Sequence, residues 1–371
     1  MLHNNIQLNV PVRRLTMKTL CIKLTLLLLS LTVVFAPANV MAEKPKFTIA
    51  KSIYAGWMPW YYAKSSGIMK KWADKYNIEV DLVHMDYIPS IEAYVAGKAA
   101  GCVMTNMEVL DMPAASGIDS TVLILGDYSN GNDAILTRDN ITAKNIKGQE
   151  VYLVELSVSH YLLARFLEKS GLKEKQVKLV NTSDSDIGPA FIANKNQKVV
   201  VTWNPIVMKI EQNPGIKKIF TSADIPGHIL DLMVVRTDVL KKHPELGKAL
   251  VGAWYEVMSL MSKRTDEANR AIAQMAEFAG SSITEYKNQL KTTAMFYTPQ
   301  SASDYTEGQE IKKNMDSVRH FCFKHGLFGE GAESVDIVGI LYPDKTVQGN
   351  AKNIKLRFDS SYTKMAAQGK L

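Results

Sequence analysis

From residue 47 onward, short apolar runs alternate with longer segments whose apolar positions recur every three or four residues. That alternation predicts an α/β protein with mostly parallel strands. Strands are expected at 47–53, 79–85, 101–104, 122–125, 150–154, 177–180, 199–202 and 232–236. Helices are expected between them at 60–72, 90–96, 159–170 and 186–193, and then at 244–261. In 159–170, Leu162, Leu163, Phe166 and Leu167 share one face and Gly171 stops the helix. The 244–261 helix opens at Pro244, a residue suited to a first helical turn. After Arg236 the pattern is almost wholly helical, through 265–279, 283–295 and 306–325. Two strand-heavy segments of similar plan, 47–126 and 150–203, thus precede a helical region. This is the layout of two α/β lobes, with the C-terminal region returning to the first. The polar, turn-rich stretch 126–132 is the expected interlobe crossing. Repeats of solenoid period are absent.

The first 42 residues follow another logic. Arg13, Arg14, Lys18 and Lys23 precede a 13-residue apolar core at 24–36, then Pro37, then Val40-Met41-Ala42. Together they predict a secretory signal peptide, cleaved after about Ala42, and a periplasmic mature protein. An uncleaved anchor is the alternative, but the apolar core is shorter than the ~20 residues a spanning helix needs. The signal also changes the charge argument. The 371-residue chain carries 44 Lys+Arg against 37 Asp+Glu. Subtracting the signal's four basic residues leaves 40 against 37, so the basic footprint of a nucleic-acid binder is gone. Cys102 and Cys322 remain, both in apolar contexts, and read as two buried thiols ahead of a bridge.

Signatures of catalysis are missing. There is no P-loop, no complete G-x-G-x-x-G, no G-x-S-x-G, no C-x-x-C and no H-E-x-x-H. The seven histidines include no pair at helical metal spacing, and His320 and His325 read as helix-end residues before Gly326. The expectation is a non-enzyme with no cofactor and no metal.

Polar and aromatic residues instead gather after strands, where open α/β sheets bind ligands. After the first expected strand, Trp57 stands beside Gly56 as a ligand platform or part of the core. After the third, Thr105 and Asn106 could hold a small polar ligand or cap a helix. Asp127 and Tyr128 follow the fourth. In the second lobe, Glu155, Ser157 and His160 open a helix, where Glu155 either faces the cleft or answers the helix's positive end. Asp184 caps the next helix, and Trp203 and Asn204 follow the last strand of that lobe. A cleft with three carboxylates and two indoles favours a cation over an anion.

The strings Tyr61-Tyr62-Ala63-Lys64-Ser65-Ser66-Gly67-Ile68, Ile146-Lys147-Gly148-Gln149-Glu150-Val151 and His243-Pro244-Glu245-Leu246 resemble those of NitT/TauT-type ABC-transporter substrate-binding proteins. Ser52-Ile53-Tyr54-Ala55-Gly56-Trp57-Met58-Pro59-Trp60, Val154-Glu155-Leu156-Ser157-Val158-Ser159-His160-Tyr161 and Val201-Thr202-Trp203-Asn204-Pro205 resemble the branch associated with urea carboxylase. The resemblance implies a type II periplasmic binding protein fold with a ligand cleft between two lobes. Lobe one would comprise 43–132 and 226–371, and lobe two 133–225. It also implies capture of a small nitrogen-containing solute, urea- or guanidine-like, for nitrogen uptake. The implied partner is a permease in the inner membrane, with a monomeric receptor and no nucleic acid. Trp57 and Trp203 would stack on the ligand, Asp127, Glu155 and Asp184 would accept its N–H groups, and Thr105, Asn106 and Ser157 would complete the hydrogen bonding. Two alternatives keep the fold: a nitrate-, sulfonate- or taurine-type anion receptor, and a pyrimidine-synthase-like enzyme for which His160 is the tempting base.

Overall fold

Strand pairing sorts the chain into two sheets. The computed structural model describes residues 43–371, so the expected signal peptide lies outside the described residues. The larger sheet contains β1 (Lys46–Lys51), β2 (Glu79–His84), β3 (Gly101–Thr105) and β4 (Ser120–Ser129) from the first half of the chain. The smaller one contains β5 (Asp133–Thr137), β6 (Glu150–Leu153), β7 (Lys178–Asn181), β8 (Val199–Trp203) and β9 (Lys217–Thr221), in the order β7-β6-β8-β5-β9. The chain then returns to the larger sheet with β10 (Leu230–Arg236), β11 (Thr293–Met295), β12 (Gly339–Leu341), β13 (Val347–Gln348) and β14 (Ile354–Phe358). Its order is β13-β12-β14-β4-β10-β3-β1-β2, with β11 paired to β4.

Side chains of the smaller sheet alternate between two cores, as the period of a strand requires. Ala134, Leu136 and Val200 meet Ile187, Phe191, Val207 and Ile210 on one face. Ile135, Val199 and Val201 turn to the other face and join the main core. In that core the Pro244–Met261 helix is buried along most of its length, and Trp254 packs on Trp60 with ring centroids 4.9 Å apart.

Two crossings connect the sheets, between Ser129 and Asp133 and between Thr221 and Leu230. Hydrogen bonds tie them side by side. Ser222 Oγ lies 2.7 Å from Ser129 Oγ and accepts from the Gly131 N–H at 2.7 Å.

The two-sheet α/β architecture agrees with the sequence reading, but the strand directions do not. Strand β10 runs antiparallel to both β3 and β4, and β5 runs antiparallel to both β8 and β9. The C-terminal region is not wholly helical either, because β11 to β14 extend the larger sheet. Those strands are short and interrupted by Pro343, Asp344 and Gly349, so no continuous apolar run announces them. Strand β9 carries only a short apolar signature in sequence because it lies at a sheet edge with Lys217 and Lys218 facing water. The expected 60–72 helix is two helices, Met58–Ser65 and Ile68–Lys75, parted by Gly67 at φ +78°. Cys102 and Cys322 are free and buried. Among the described residues no helix is long and apolar enough to cross a membrane.

Candidate functional site

The ends of five strands and two helices converge on one small cavity between the sheets. Tyr54 and Trp57 reach it from the turn after β1, where a one-turn 3-10 helix (Ala55–Trp57) precedes the Met58–Ser65 helix. Tyr87 enters from the first turn of the Tyr87–Val95 helix, and Thr105 from the end of β3. Trp203 closes β8, while Asp133 opens β5 and Asp231 stands at the start of β10. Ile229 and Val158 complete the wall. The space left for the centre of a water-sized sphere is about 20 Å³. That is roughly one or two waters' worth, so the site is sized for a solute of a few heavy atoms.

Aromatic rings form most of the wall. Tyr87 sits between the two indoles, with its centroid 5.7 Å from Trp57 and 5.8 Å from Trp203. Trp57 meets Tyr54 edge-on at 5.1 Å. Trp203 is anchored through its indole N–H to the Ile53 carbonyl at 3.1 Å, whereas the Trp57 indole N–H is buried without a partner.

Behind and between the rings lie five buried carboxyl groups. Asp127 accepts from the Tyr54 hydroxyl at 2.9 Å. Asp231 is the register neighbour of Asp127 on one side and of Thr105 on the other. Ser129 Oγ donates to Asp133, and Glu108 accepts from Thr105 Oγ1 and, at 2.9 Å, from the Val158 N–H. Asp111 is the fifth, with one oxygen unpartnered. Among the described residues no Lys, Arg or His forms an ion pair with any of the five, and none lines the cavity.

Burial dominates their chemistry. It pushes Asp133 up to about 7, against the hydrogen bond from Ser129. It raises Asp127 as well, and raises Asp231 further because Asp127 and Asp133 repel a second charge beside them. Burial also raises Glu108, and raises Asp111 with the charge of Glu108 adding to it. An aromatic box with acceptors and no basic group can hold a cation or a planar set of N–H donors.

Of the residues chosen from sequence, Trp57, Thr105 and Trp203 line this cavity. Asp127 backs it through Tyr54, and Ser157 caps the helix whose first residue, Val158, forms part of the wall. The others lie elsewhere. Asn106 bonds the backbone at His228 and Leu230, and Asn204 bonds Asn132 and the Met208 N–H, so both amides are spent on joining segments. Tyr128 stacks on Tyr305 at 6.0 Å. Glu155 is exposed and, with Asp184, borders a separate groove of about 600 Å³ by the same measure. Asp184 there accepts from the Tyr87 N–H at 3.2 Å. The three-carboxylate set expected from sequence is therefore replaced around the cavity by Asp127, Asp133 and Asp231.

Tyr54, Tyr87, Asp133 and Asp231 were not selected from sequence. In parallel sheets the carboxyl ends of strands line the binding edge. In the antiparallel strands β5 and β10 it is the first residues that reach the same edge. An acidic residue directly before an apolar run, as in Asp133-Ala-Ile-Leu and Asp231-Leu-Met-Val, is the available signal.

His160 is buried away from the cavity, beside Glu174 and His325. Nδ1 of His325 lies 2.8 Å from the Phe321 carbonyl and its Nε2 2.7 Å from the Glu174 carboxylate. Both neighbours only accept, so both ring nitrogens carry protons and His325 is an imidazolium. His160 accepts the Leu156 N–H at Nδ1 and donates from Nε2 to Glu174, each at 3.3 Å. Burial disfavours the charge on His325, but the hydrogen bond it donates to Glu174 outweighs it and raises the imidazole above its ordinary value. Burial likewise opposes the Glu174 charge, yet the two imidazoles hold that carboxyl well below its usual range. Stability from a raised His325 is full below about 6.5 and fades as pH rises through its raised value. Stability from a depressed Glu174 fades as pH falls below about 4.5, so the pair contributes most between the two. Glu174→Gln is expected to lower stability by about 1–2 kcal/mol near pH 6, with the deficit shrinking by about pH 9. Denaturant unfolding at the two pH values checks this.

Comparison with known proteins gives three kinds of match. A family model described as NMT1/THI5 like matches residues 57–268. The taurine-binding periplasmic protein of Escherichia coli (strain K12) is 28% identical over 148 residues, which is 38% of this chain and 44% of that protein. The chain thus spans less than half the length of that relative. Among solved structures, the alkanesulfonate-binding protein SsuA from Xanthomonas axonopodis pv. citri bound to MOPS aligns with a TM-score of 0.63 and 14% identity. The alignment covers 78% of this chain and 96% of that one. A Candida albicans gene product exhibiting the generic periplasmic binding protein structural fold aligns at 0.56 with 15% identity, over 78% and 93% of the two chains. The fold is that of the periplasmic binding proteins.

Proposed function

The chain belongs to the NMT1/THI5-like family, and from that premise we propose that it captures a small planar cation of the guanidinium type for an ABC importer. The observation that carries this reading is the composition of the cavity wall, which has Asp133, Asp231 and four aromatic residues and no basic residue. Guanidinium presents flat faces to Trp57, Tyr87 and Trp203, and N–H donors in its plane to Asp133 and Asp231. Urea matches the shape and the donors but brings no charge to offset the buried carboxyls, so it ranks second. The cavity's small volume supports a ligand of this size. In this reading 43–132 with 226–371 form one lobe and 133–225 the other, and they close on the solute about the paired crossings at Ser129 and Ser222. Export to the periplasm and delivery to an inner-membrane permease complete the proposal.

A second reading follows from the relatives' names: a taurine- or alkanesulfonate-type anion. It would place a negative group against Asp133 and Asp231 in a site that offers no cation to receive it, and for that reason it ranks below the first. A catalytic role finds no support in the cavity, because His160, the base an enzyme would need, is held by Glu174 and Leu156 away from it.

Thermal unfolding of the purified protein in the presence of guanidinium, urea, nitrate, taurine and an alkanesulfonate tests the choice. Guanidinium is expected to stabilise the fold by about 2.7 kcal/mol at a hundred times its Kd, with the anions silent. A rise with taurine or the sulfonate alone would reverse the ranking.

A further inference from the structure

Resting on the cationic reading of the cavity, we propose that capture is an electroneutral exchange, in which the incoming cation displaces a proton shared among Asp127, Asp133 and Asp231. The three come from strands β4, β5 and β10, and all are at most 3% exposed. Asp127 and Asp231 face each other across an antiparallel pair, and each has an oxygen with no hydrogen-bond donor.

The groups around them supply no compensating charge. Asp127 faces Tyr54, Tyr286 and Tyr297, and Asp231 faces Tyr54 and Tyr87. Asp133 faces Ser129, Tyr54 and Glu108, and Glu108 in turn acts on Asp111 and Cys322. Every one of these is neutral or becomes negative on ionisation, and none becomes positive. Leaving several carboxylates ionised in such a place costs more than two hydroxyl donors return.

Protons are the cations available to the empty site. Burial accordingly lifts Asp133 to about 7 and the Asp127–Asp231 pair in the same direction, so the trio holds most of its protons just below neutrality. A guanidinium entering the box supplies a fixed positive charge. The arrangement regains neutrality by releasing one proton to solvent for each monocation bound. Guanidinium itself stays protonated throughout the range, so the pH dependence belongs to the protein.

Calorimetric titration of guanidinium chloride into the intact protein, in two buffers of different ionisation enthalpy, counts the protons. The expected result is about one proton released per cation and an affinity that rises up to about tenfold per pH unit between pH 5 and 7, flattening above. Binding with no buffer dependence and a constant Kd over that range would overturn the exchange while leaving the cationic reading in place. No guanidinium binding at any pH from about 5 to 9 would overturn both.

Discussion

Asp133→Asn is expected to weaken guanidinium binding by roughly two to three orders of magnitude while leaving the fold's stability near pH 6 almost unchanged. The two halves of that expectation have one cause. In the empty protein Asp133 is held up at about 7 by burial, so near pH 6 it is mostly neutral and an amide is close to its isostere. The Ser129 hydroxyl, itself able to accept from Ser222, can donate to the new carbonyl oxygen as it did to the carboxyl. What the amide cannot do is ionise when a cation arrives. Removing one partner of a buried, hydrogen-bonded charge pair costs about 2–5 kcal/mol of binding, which sets the magnitude. Equal affinity in variant and parent would mean that the cation does not meet Asp133. A large loss of stability near pH 6 would mean that Asp133 is ionised in the empty protein.

Gly56→Ala should be equally damaging to binding, by a steric route. Gly56 is buried in the one-turn helix after β1. A Cβ there would collide with Asp127 Oδ2 and lie 2.5 Å from Tyr54 Cε1. Those two side chains are hydrogen-bonded to each other, so neither can swing aside without breaking the Tyr54–Asp127 contact. Overpacking of this kind costs about 1–3 kcal/mol and forces side chains off their rotamers. Here the displaced groups are the back wall of the cavity, and Trp57 is edge-on to the ring that must move. Loss of guanidinium binding together with a lower denaturation midpoint is the expected outcome. Parental affinity at an unchanged midpoint would show that the wall behind the indoles is not needed.

Strand direction separates the site residues that were legible in the sequence from those that were not. Strands β1, β3 and β8 are apolar runs that end in polar or aromatic residues, and their ends gave Trp57, Thr105 and Trp203 directly. Strands β5 and β10 deliver their residues at the opposite terminus because they run antiparallel, and strand direction leaves no mark on an apolar run of five to seven residues. Asn106 and Asn204 stand at strand ends as the sequence places them, with their amides bonded to adjoining segments. Buried amides at strand ends must find partners, and here the nearest are backbone groups of adjoining segments. Glu155 stood beside a helix start in sequence, but the helix turned Val158 inward and left Glu155 in water. The pairing of His160 with His325 through Glu174 joins positions far apart in sequence, and no spacing rule reaches that far.

Whether the aromatic cavity is a cation site is tested most directly by equilibrium dialysis of the purified protein against labelled guanidinium and, separately, labelled taurine at neutral pH. The carboxyl-lined cavity requires one guanidinium retained per chain, displaced by excess unlabelled guanidinium and not by taurine. Retention of taurine, with guanidinium passing freely, would contradict it.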